Sequence, residues 1–247
     1  MKISLITVVF NGADFLEECI SSVCSQVDVD LEYIIVDGGS TDGTLDIIKN
    51  YNAHIHHFVT EKDNGLYDAI NKGIKLATGD IIGILNADDS FESINVLAQV
   101  AKAFKNNINL DGLYGNLNYV HPQNKNIIRK WKSKEADYSD IEKGWMPAHP
   151  TLYLRRNVFT SFGNYTLDLG TAADYDFILR IFHTYKIKTA YLPILMVNMR
   201  TGGLSNNSLN SLFNALLNDY KALKRNKVSH PLSVLLQKKL SKLSQFF

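Results

Sequence analysis

The sequence predicts an α/β protein: a mostly parallel central sheet with helices on both faces, followed by C-terminal helices. Three observations lead there. Apolar runs alternate with apolar patterns at 3–4 spacing along residues 1–120, the order expected of strand–helix repeats. The strands read as near-continuous apolar runs, as in a sheet covered on both faces. The chain has 247 residues, 45% hydrophobic and 21% charged. That suits one sizeable α/β core and excludes disorder, collagen and coiled coil.

Each element has its own warrant. Ile3 to Phe10 is an apolar run, and Asn11-Gly12 turns the chain. The run resembles a short signal peptide but lacks a small-residue cleavage site, and Asp14, Glu17 and Glu18 follow at once, so it is a first strand. Phe15, Leu16, Cys19, Ile20, Val23 and Cys24 recur at helical spacing. Tyr33 to Val36 is a second strand, and Leu45, Ile48 and Tyr51 mark a second helix. His54 to Thr60 is a third strand, and Leu66, Ile70, Ile74 and Ala77 a third helix ended by Gly79. Asp80 to Leu85 is a fourth strand, Ile94, Leu97, Ala101 and Phe104 a fourth helix, and Gly112 to Val120 a fifth strand. Beyond residue 121 the pattern loosens around the basic stretch Lys125–Lys134. Met146 to Leu154 is expected as a strand, Ala173 to Tyr185 as a helix, and Ile187 to Met199 as a strand whose Pro193 puts it at an edge or a bulge. The tail from Asn207 holds two helical stretches broken near His230-Pro231.

Charge is uneven. Residues 221–247 hold seven Lys or Arg and no acid, leaving a net of −6 on residues 1–220. An acidic body argues against nucleic acid as a partner and suits one that holds a metal. The two cysteines, Cys19 and Cys24, stand five apart on one helix and fit neither a bridge nor a zinc site. Free thiols and the lack of any apolar run of roughly 18 residues point to a cytoplasmic protein.

The chemistry gathers where strands end, because ligands of open α/β sheets bind beyond the strands' carboxyl ends. Asp37 follows the second strand, Asp63 the third, and Asp88 and Asp89 the fourth. Adjacent carboxylates repel unless a cation or donors compensate, and Mg²⁺ or Mn²⁺ bound through one or two carboxylates plus phosphates would do so. A helix cap by Asp89 or Ser90 is the plainer alternative. The loop Asp37-Gly-Gly-Ser-Thr-Asp-Gly43 is neither a G-x-G-x-x-G nor a P-loop.

Four segments occur in series: Thr7-Val-Val-Phe-Asn11, Val36-Asp-Gly-Gly-Ser-Thr-Asp-Gly43, Glu61-Lys-Asp-Asn-Gly-Leu-Tyr-Asp-Ala-Ile-Asn-Lys-Gly73 and Leu85-Asn-Ala-Asp-Asp89. Together they resemble the family 2 glycosyltransferases of the GT-A fold, a Rossmann-like sheet, in the subgroup similar to colanic-acid and other surface-polysaccharide transferases. The resemblance covers roughly residues 1–205, leaving 206–247 as a basic helical tail. It implies that Phe10 and Asp37 face the base of a nucleotide, usually uracil, and that Asp63 and Asp68 shape that pocket. Asp88 would contact ribose or sugar, and Asp89 would hold Mg²⁺ or Mn²⁺ on the diphosphate. The family's metal motif often begins with Asp, where this chain has Asn86.

Ala172-Ala-Asp-Tyr-Asp-Phe177 is similar to the segment carrying the family's catalytic base, with Asp174 in that place and Asp176 in support. A cap on the helix is the alternative for Asp174. By the same analogy His149, between Pro147 and Pro150, lies beside the acceptor. Arg200-Thr-Gly-Gly203 offers an Arg and amides for a diphosphate, or a plain surface turn. The implied activity is inverting transfer of a sugar, UDP-linked by preference, to a lipid-linked saccharide acceptor. A nucleotidyltransferase is disfavoured because Phe10-Asn-Gly-Ala-Asp14 lacks a basic residue. A non-catalytic nucleotide-sugar-binding module is a further alternative.

In the tail, Leu232, Leu235, Leu236, Leu240, Leu243 and Phe247 form one stripe, with Lys238, Lys239 and Lys242 off it. Such a helix can lie peripherally on the inner face of the plasma membrane, or pack on the body or a homodimer partner.

Overall fold

The structure is a computed structural model that describes residues 1–202 and 209–243. The first half follows the strand–helix alternation. β1 (Lys2–Val9), α1 (Leu16–Cys24), β2 (Asp30–Asp37), α2 (Thr44–Asn50), β3 (His57–Thr60), α3 (Leu66–Leu76) and β4 (Ile81–Ile84) come in that order. A two-residue β5 (Ser90–Phe91) then precedes α4 (Val96–Asn106), so the acidic pair Asp88-Asp89 leads into a strand and caps no helix. β6 (Gly112–Val120), β7 (Ile127–Trp131), α5 (Tyr138–Glu142), β8 (Tyr153–Arg155), α6 (Arg156–Phe162), α7 (Ala173–Ile178) and β9 (Thr189–Arg200) complete the body. A π-helical turn, Leu179–Thr184, extends α7. In the tail lie α8 (Leu209–Arg225) and α9 (Pro231–Leu243).

One curled sheet runs in the order β3-β2-β1-β4-β8-β6-β9-β5, with β7 beside β6. β3, β2, β1 and β4 are parallel, and so is the long β6–β9 pair; β5, β7 and β8 join antiparallel. Successive strand residues face opposite layers. Leu5 and Ile35 pack with α1 and α4, whereas Ile6 and Ile34 pack with α3, α7 and the tail. α3 can approach closely because it presents Gly73: a Cβ there would lie 2.5 Å from Ile6 Cγ2. Away from the strands' carboxyl ends, Lys2, Ser4 and Thr78 donate to Glu32. Burial opposes Glu32's charge, but these donors hold its carboxyl far below the usual range.

Several expectations are corrected. Met146 to Leu154 is not one strand: Ala148 leads into a 3₁₀ turn at His149–Thr151, and only Tyr153–Arg155 pairs. Prolines at 147 and 150 remove two backbone donors, which explains the interruption. β7 is not legible in the sequence because four of its residues are basic or surface-facing; Ile127 and Ile128 are both exposed. Pro193 does sit in a bulge: Tyr114 pairs with Tyr191 and Asn116 with Leu195, so β9 carries extra residues there.

The tail shares the body's core, with Ala222, Leu223, Val228 and Val234 buried among residues of β1 and α7. Lys238 is turned inward rather than outward, with Nζ 2.9 Å from Asp219 and 3.3 Å from the centre of the Tyr175 ring. Gly203, the boundary at 205 and Phe247 lie outside the described residues.

Candidate active site

The parallel register carries the acidic segments to one edge. Val9 pairs with Asp37, and Asp37 with Thr60, so Phe10, the residues after Asp37 and those after Thr60 emerge side by side. Two loops are stitched together there. Asn11 adopts a left-handed φ of 49°, which Asn tolerates better than most residues. Its amide donates to Ser40 Oγ at 2.7 Å, and its own Oδ1 accepts from the Thr41 amide at 2.9 Å. Asp37 is buried and ends β2. Its carboxylate accepts from the Gly39 and Ser40 amides and, at 2.6 Å, from Thr60 Oγ1. Asp37 therefore shapes the loop, with its oxygens already engaged. Gly39 takes φ +84°, where a side chain would be strained.

Phe10 projects from this scaffold 66% exposed, next to Gly38 and Asp63. A large apolar ring held in water on a rigid loop is a stacking surface in waiting. Asp63 forms a short ion pair with Lys72, which also lies 2.8 Å from Glu61 and 3.7 Å from Asp68. Asp68 accepts from the Asn64 amide at 2.9 Å and so closes the turn into α3. Lys72 stands inside the Glu61–Gly73 segment, but the motif alone gives it no role. Its spacing of four from Asp68 on a helix was the available signal.

A second group forms where β5 and β9 meet. Asp89 is buried, and its Oδ1 accepts from the Arg200 amide at 3.2 Å. Burial, then the charge of Asp88, push the Asp89 carboxyl well above the usual range. Burial also raises half-buried Asp88, against the pull of Arg200. The Arg200 guanidinium does not face the open edge. It donates to Glu18 Oε2 at 2.6 Å and to the Asp88 carbonyl at 2.5 Å, and lies 4.7 Å from the Phe15 ring centre. Arg200 thus braces the acidic loop. Its partner Glu18 is 182 residues away and carried no sequence signal beyond a helix first turn.

Among the described residues no group of three or more His, Cys, Asp or Glu side chains could hold a metal alone. Asp88 and Asp89 nonetheless fit a hard divalent cation. Both are carboxylates that, among the described residues, form no ion pair within 4 Å; the Arg200 and Asn86 donors on Asp89 are single hydrogen bonds, and the remaining positions suit phosphate and water. Cys19, the nearby soft donor, is buried, its thiol pushed well up by burial, and it donates to the Asn86 carbonyl.

The third group surrounds Asp174 in the first turn of α7. One of its oxygens accepts from the Tyr175 amide at 2.7 Å, and the residue is half-buried. The Tyr67 hydroxyl faces it: burial, and then Asp174's charge, hold that phenol well above its ordinary pKa. Tyr67 stacks on Tyr165 with centroids 5.5 Å apart, and Tyr165 Oη lies 2.8 Å from His149 Nε2. Asn71 grips the Tyr165 backbone through both its amide and its carbonyl, at 2.8 and 3.1 Å. Burial lowers the His149 pKa, against Asp174's pull. Asp176, by contrast, is fully buried and accepts from Asn226 at 2.9 Å, a structural role as expected. Burial raises the Tyr119 phenol, against the pull of Arg129, whose guanidinium lies 3.8 Å over the ring centre.

Known proteins resemble this chain in sequence and in fold. A glycosyltransferase of Mycobacterium bovis described as a PGL/p-HBAD biosynthesis glycosyltransferase is 31% identical over 217 residues, covering 85% of this chain and 81% of the relative. The crystal structure of S. aureus TarS 1-349 in complex with UDP superposes with a TM-score of 0.71 at 17% identity, over 99% of this chain and 72% of that one. The mannosyltransferase PcManGT from Pyrobaculum calidifontis, solved with GDP-Man and Mn²⁺, gives 0.66 at 17% identity, over 96% and 68%. These likenesses make the fold GT-A. The model of the family described as Glycosyl transferase family 2 matches residues 4–163, more than half of the chain, and on that match and its relatives the chain belongs to glycosyl transferase family 2.

Proposed function

We propose that the chain is an inverting, metal-dependent glycosyltransferase that moves a sugar from a UDP-sugar to a saccharide acceptor in surface-polysaccharide synthesis. One observation supports the reading: an exposed stacking ring and an acidic pair follow parallel strand ends, and the Asp174 carboxylate faces Tyr67 in the first turn of α3, the helix after β3. The UDP complex of one structural neighbour and the GDP-Man and Mn²⁺ of another support a nucleotide sugar as donor.

Phe10 packs on the base and the Asp63 carboxylate accepts from its N–H, a pairing that suits uracil. Lys72 pairs with Asp63 and keeps it aimed, and Asp68 holds the loop between them. Asp37 sets the loop that carries Gly38 against the base. Asp88 accepts from donor hydroxyls. Asp89, with Asp88 beside it, would hold Mg²⁺ or Mn²⁺, which when bound neutralises the diphosphate leaving group. Arg200 fixes the Asp88-Asp89 loop from behind. Asp174 takes the acceptor hydroxyl's proton as that oxygen attacks the anomeric carbon. The new carbon–oxygen bond forms as the carbon–phosphate-oxygen bond breaks, so nucleoside diphosphate leaves from the opposite face in a single displacement. Tyr67 and Tyr165 fix the Asp174 carboxylate, and neutral His149 is a donor or acceptor for the incoming saccharide.

Nucleotide sugars are screened for thermal stabilisation with Mn²⁺ or Mg²⁺, and release of nucleoside diphosphate is then followed with and without an oligosaccharide acceptor. UDP-sugars stabilise most, and turnover requires acceptor. Stabilisation by GDP- or dTDP-sugars instead would overturn the donor assignment, and acceptor-independent release would make the protein a hydrolase.

A further inference from the structure

We propose that α8 and α9 form a membrane-docking face whose occupant is an anionic lipid surface. The inference is independent of the catalytic assignments above. The stripe expected from the tail sequence divides in the structure. Val234, Leu235 and Lys238 turn inward and hold α9 on the body. Leu232, Leu236 and Leu240, four apart, face outward together with Phe213 and Leu217 of α8, all between 41% and 72% exposed. Phe213, Leu217, Tyr220 and Lys224 recur at helical spacing and share one face of α8. A groove lined by Tyr220, Lys224, His230, Pro231 and Leu232 joins that face to the start of α9. Five large apolar side chains left in water on two adjoining helices need a cover.

Charge selects the cover. Lys221, Lys224 and Lys227 are exposed beside these residues, and no acid occurs from 221 to 247. A second copy docked by two-fold symmetry would set the same lysines against each other, and residues 221–247 carry no acid to neutralise them. A bilayer bearing anionic headgroups neutralises all of them while burying the leucines. The face is also fixed to the catalytic segment. Asn218 of α8 lies against Gly170, four residues before Asp174, and Arg225 pairs with Asp168 at 2.5 Å. Docking would therefore set the height of Asp174 above the lipid.

The test is co-sedimentation of the full chain with vesicles of phosphatidylcholine alone and of phosphatidylcholine mixed with phosphatidylglycerol. The wild type partitions onto the mixed vesicles and only weakly onto the neutral ones. Leu232→Glu/Leu236→Glu lowers that partitioning by at least about tenfold, since each buried leucine is worth on the order of that factor. Lys221→Glu/Lys224→Glu lowers it by at least about fivefold per residue at low salt, the factor expected of each lysine near an anionic surface, and molar salt erases the difference. Melting temperature and UDP affinity stay unchanged in both, because these side chains are exposed and far from the nucleotide segments. Wild-type failure to bind mixed vesicles, or variants that bind like the wild type, overturns the proposal. So does a wild-type dimer that ignores vesicles and that the leucine variant splits, which would make the face a protein interface.

Discussion

Replacing Arg200 with Ala tests whether this side chain braces the acidic loop or grips ligand. Arg200 is 5% exposed and makes an ion pair to Glu18 at 2.6 Å, a hydrogen bond to the Asp88 carbonyl at 2.5 Å and a stack on Phe15 at 4.7 Å. Breaking a buried pair costs roughly 3–5 kcal/mol, mostly from the partner left behind. Glu18's side chain is 36% exposed and keeps its ion pair with Lys125 at 2.9 Å, which lowers the figure to about 2–4 kcal/mol with the lost Asp88 hydrogen bond included. At about 2–4 °C per kcal/mol for a chain of this size, the melting temperature falls by roughly 5–15 °C. Arg200→Lys recovers only part, because an ammonium cannot reach Glu18 and the Asp88 carbonyl with one planar fork. Differential scanning fluorimetry without ligand, followed by titration with UDP in chelator, separates the two roles. Bracing shows as a large loss of stability with metal-free UDP affinity nearly intact. An unchanged melting temperature with weakened UDP binding would refute the argument and return Arg200 to the ligand.

Asp174→Asn is expected to leave UDP affinity near wild type while lowering turnover by about 10²–10⁴, read by steady-state kinetics at saturating donor; lost affinity with retained turnover would remove Asp174 as base. Asp89→Ala should abolish transfer and the Mn²⁺-dependent part of UDP affinity in calorimetry, and wild-type activity that persists in chelator contradicts the metal assignment. Lys72→Met leaves Asp63, Glu61 and Asp68 facing one another without their cation, so KM for donor should rise on the order of tenfold with kcat changed less. His149 is held neutral by burial, its pKa lowered in the fold. The unfolded chain then binds the extra proton first, so this contribution to stability is present above about pH 6.5 and is lost as pH falls below it. His149→Gln should flatten that part of a stability–pH curve between neutral and acid, and an unaltered curve counts against it.

The sequence by itself determined the parallel order of the first four strands, the helices between them and the acidic residues at the strand ends. Those features are local: apolar periodicity declares strand or helix, and a parallel ladder delivers every strand end to the same edge. Thus Asp37, Asp63 and Asp88-Asp89 are legible in the sequence as residues that follow strand ends on one edge of the sheet. The segment around Asp174 was legible only through its resemblance to a family, since an Asp opening a helix is by itself ambiguous with a cap. What only the tertiary structure decided is which side chains hold these groups. The bulge at Pro193 sets the register that brings Arg200 onto Asp89, and the fold places Glu18 opposite its guanidinium. Tyr67, Asn71, Tyr165 and His149 come together around Asp174 from three separate segments. The tail's stripe likewise divided, because an α-helix with apolar residues around more than half its circumference does not say which of them meet the body. Lys238 went in, to Asp219 and Tyr175, and Leu232, Leu236 and Leu240 stayed out. Pairings between residues far apart in the chain depend on how whole layers pack, and no local spacing encodes that.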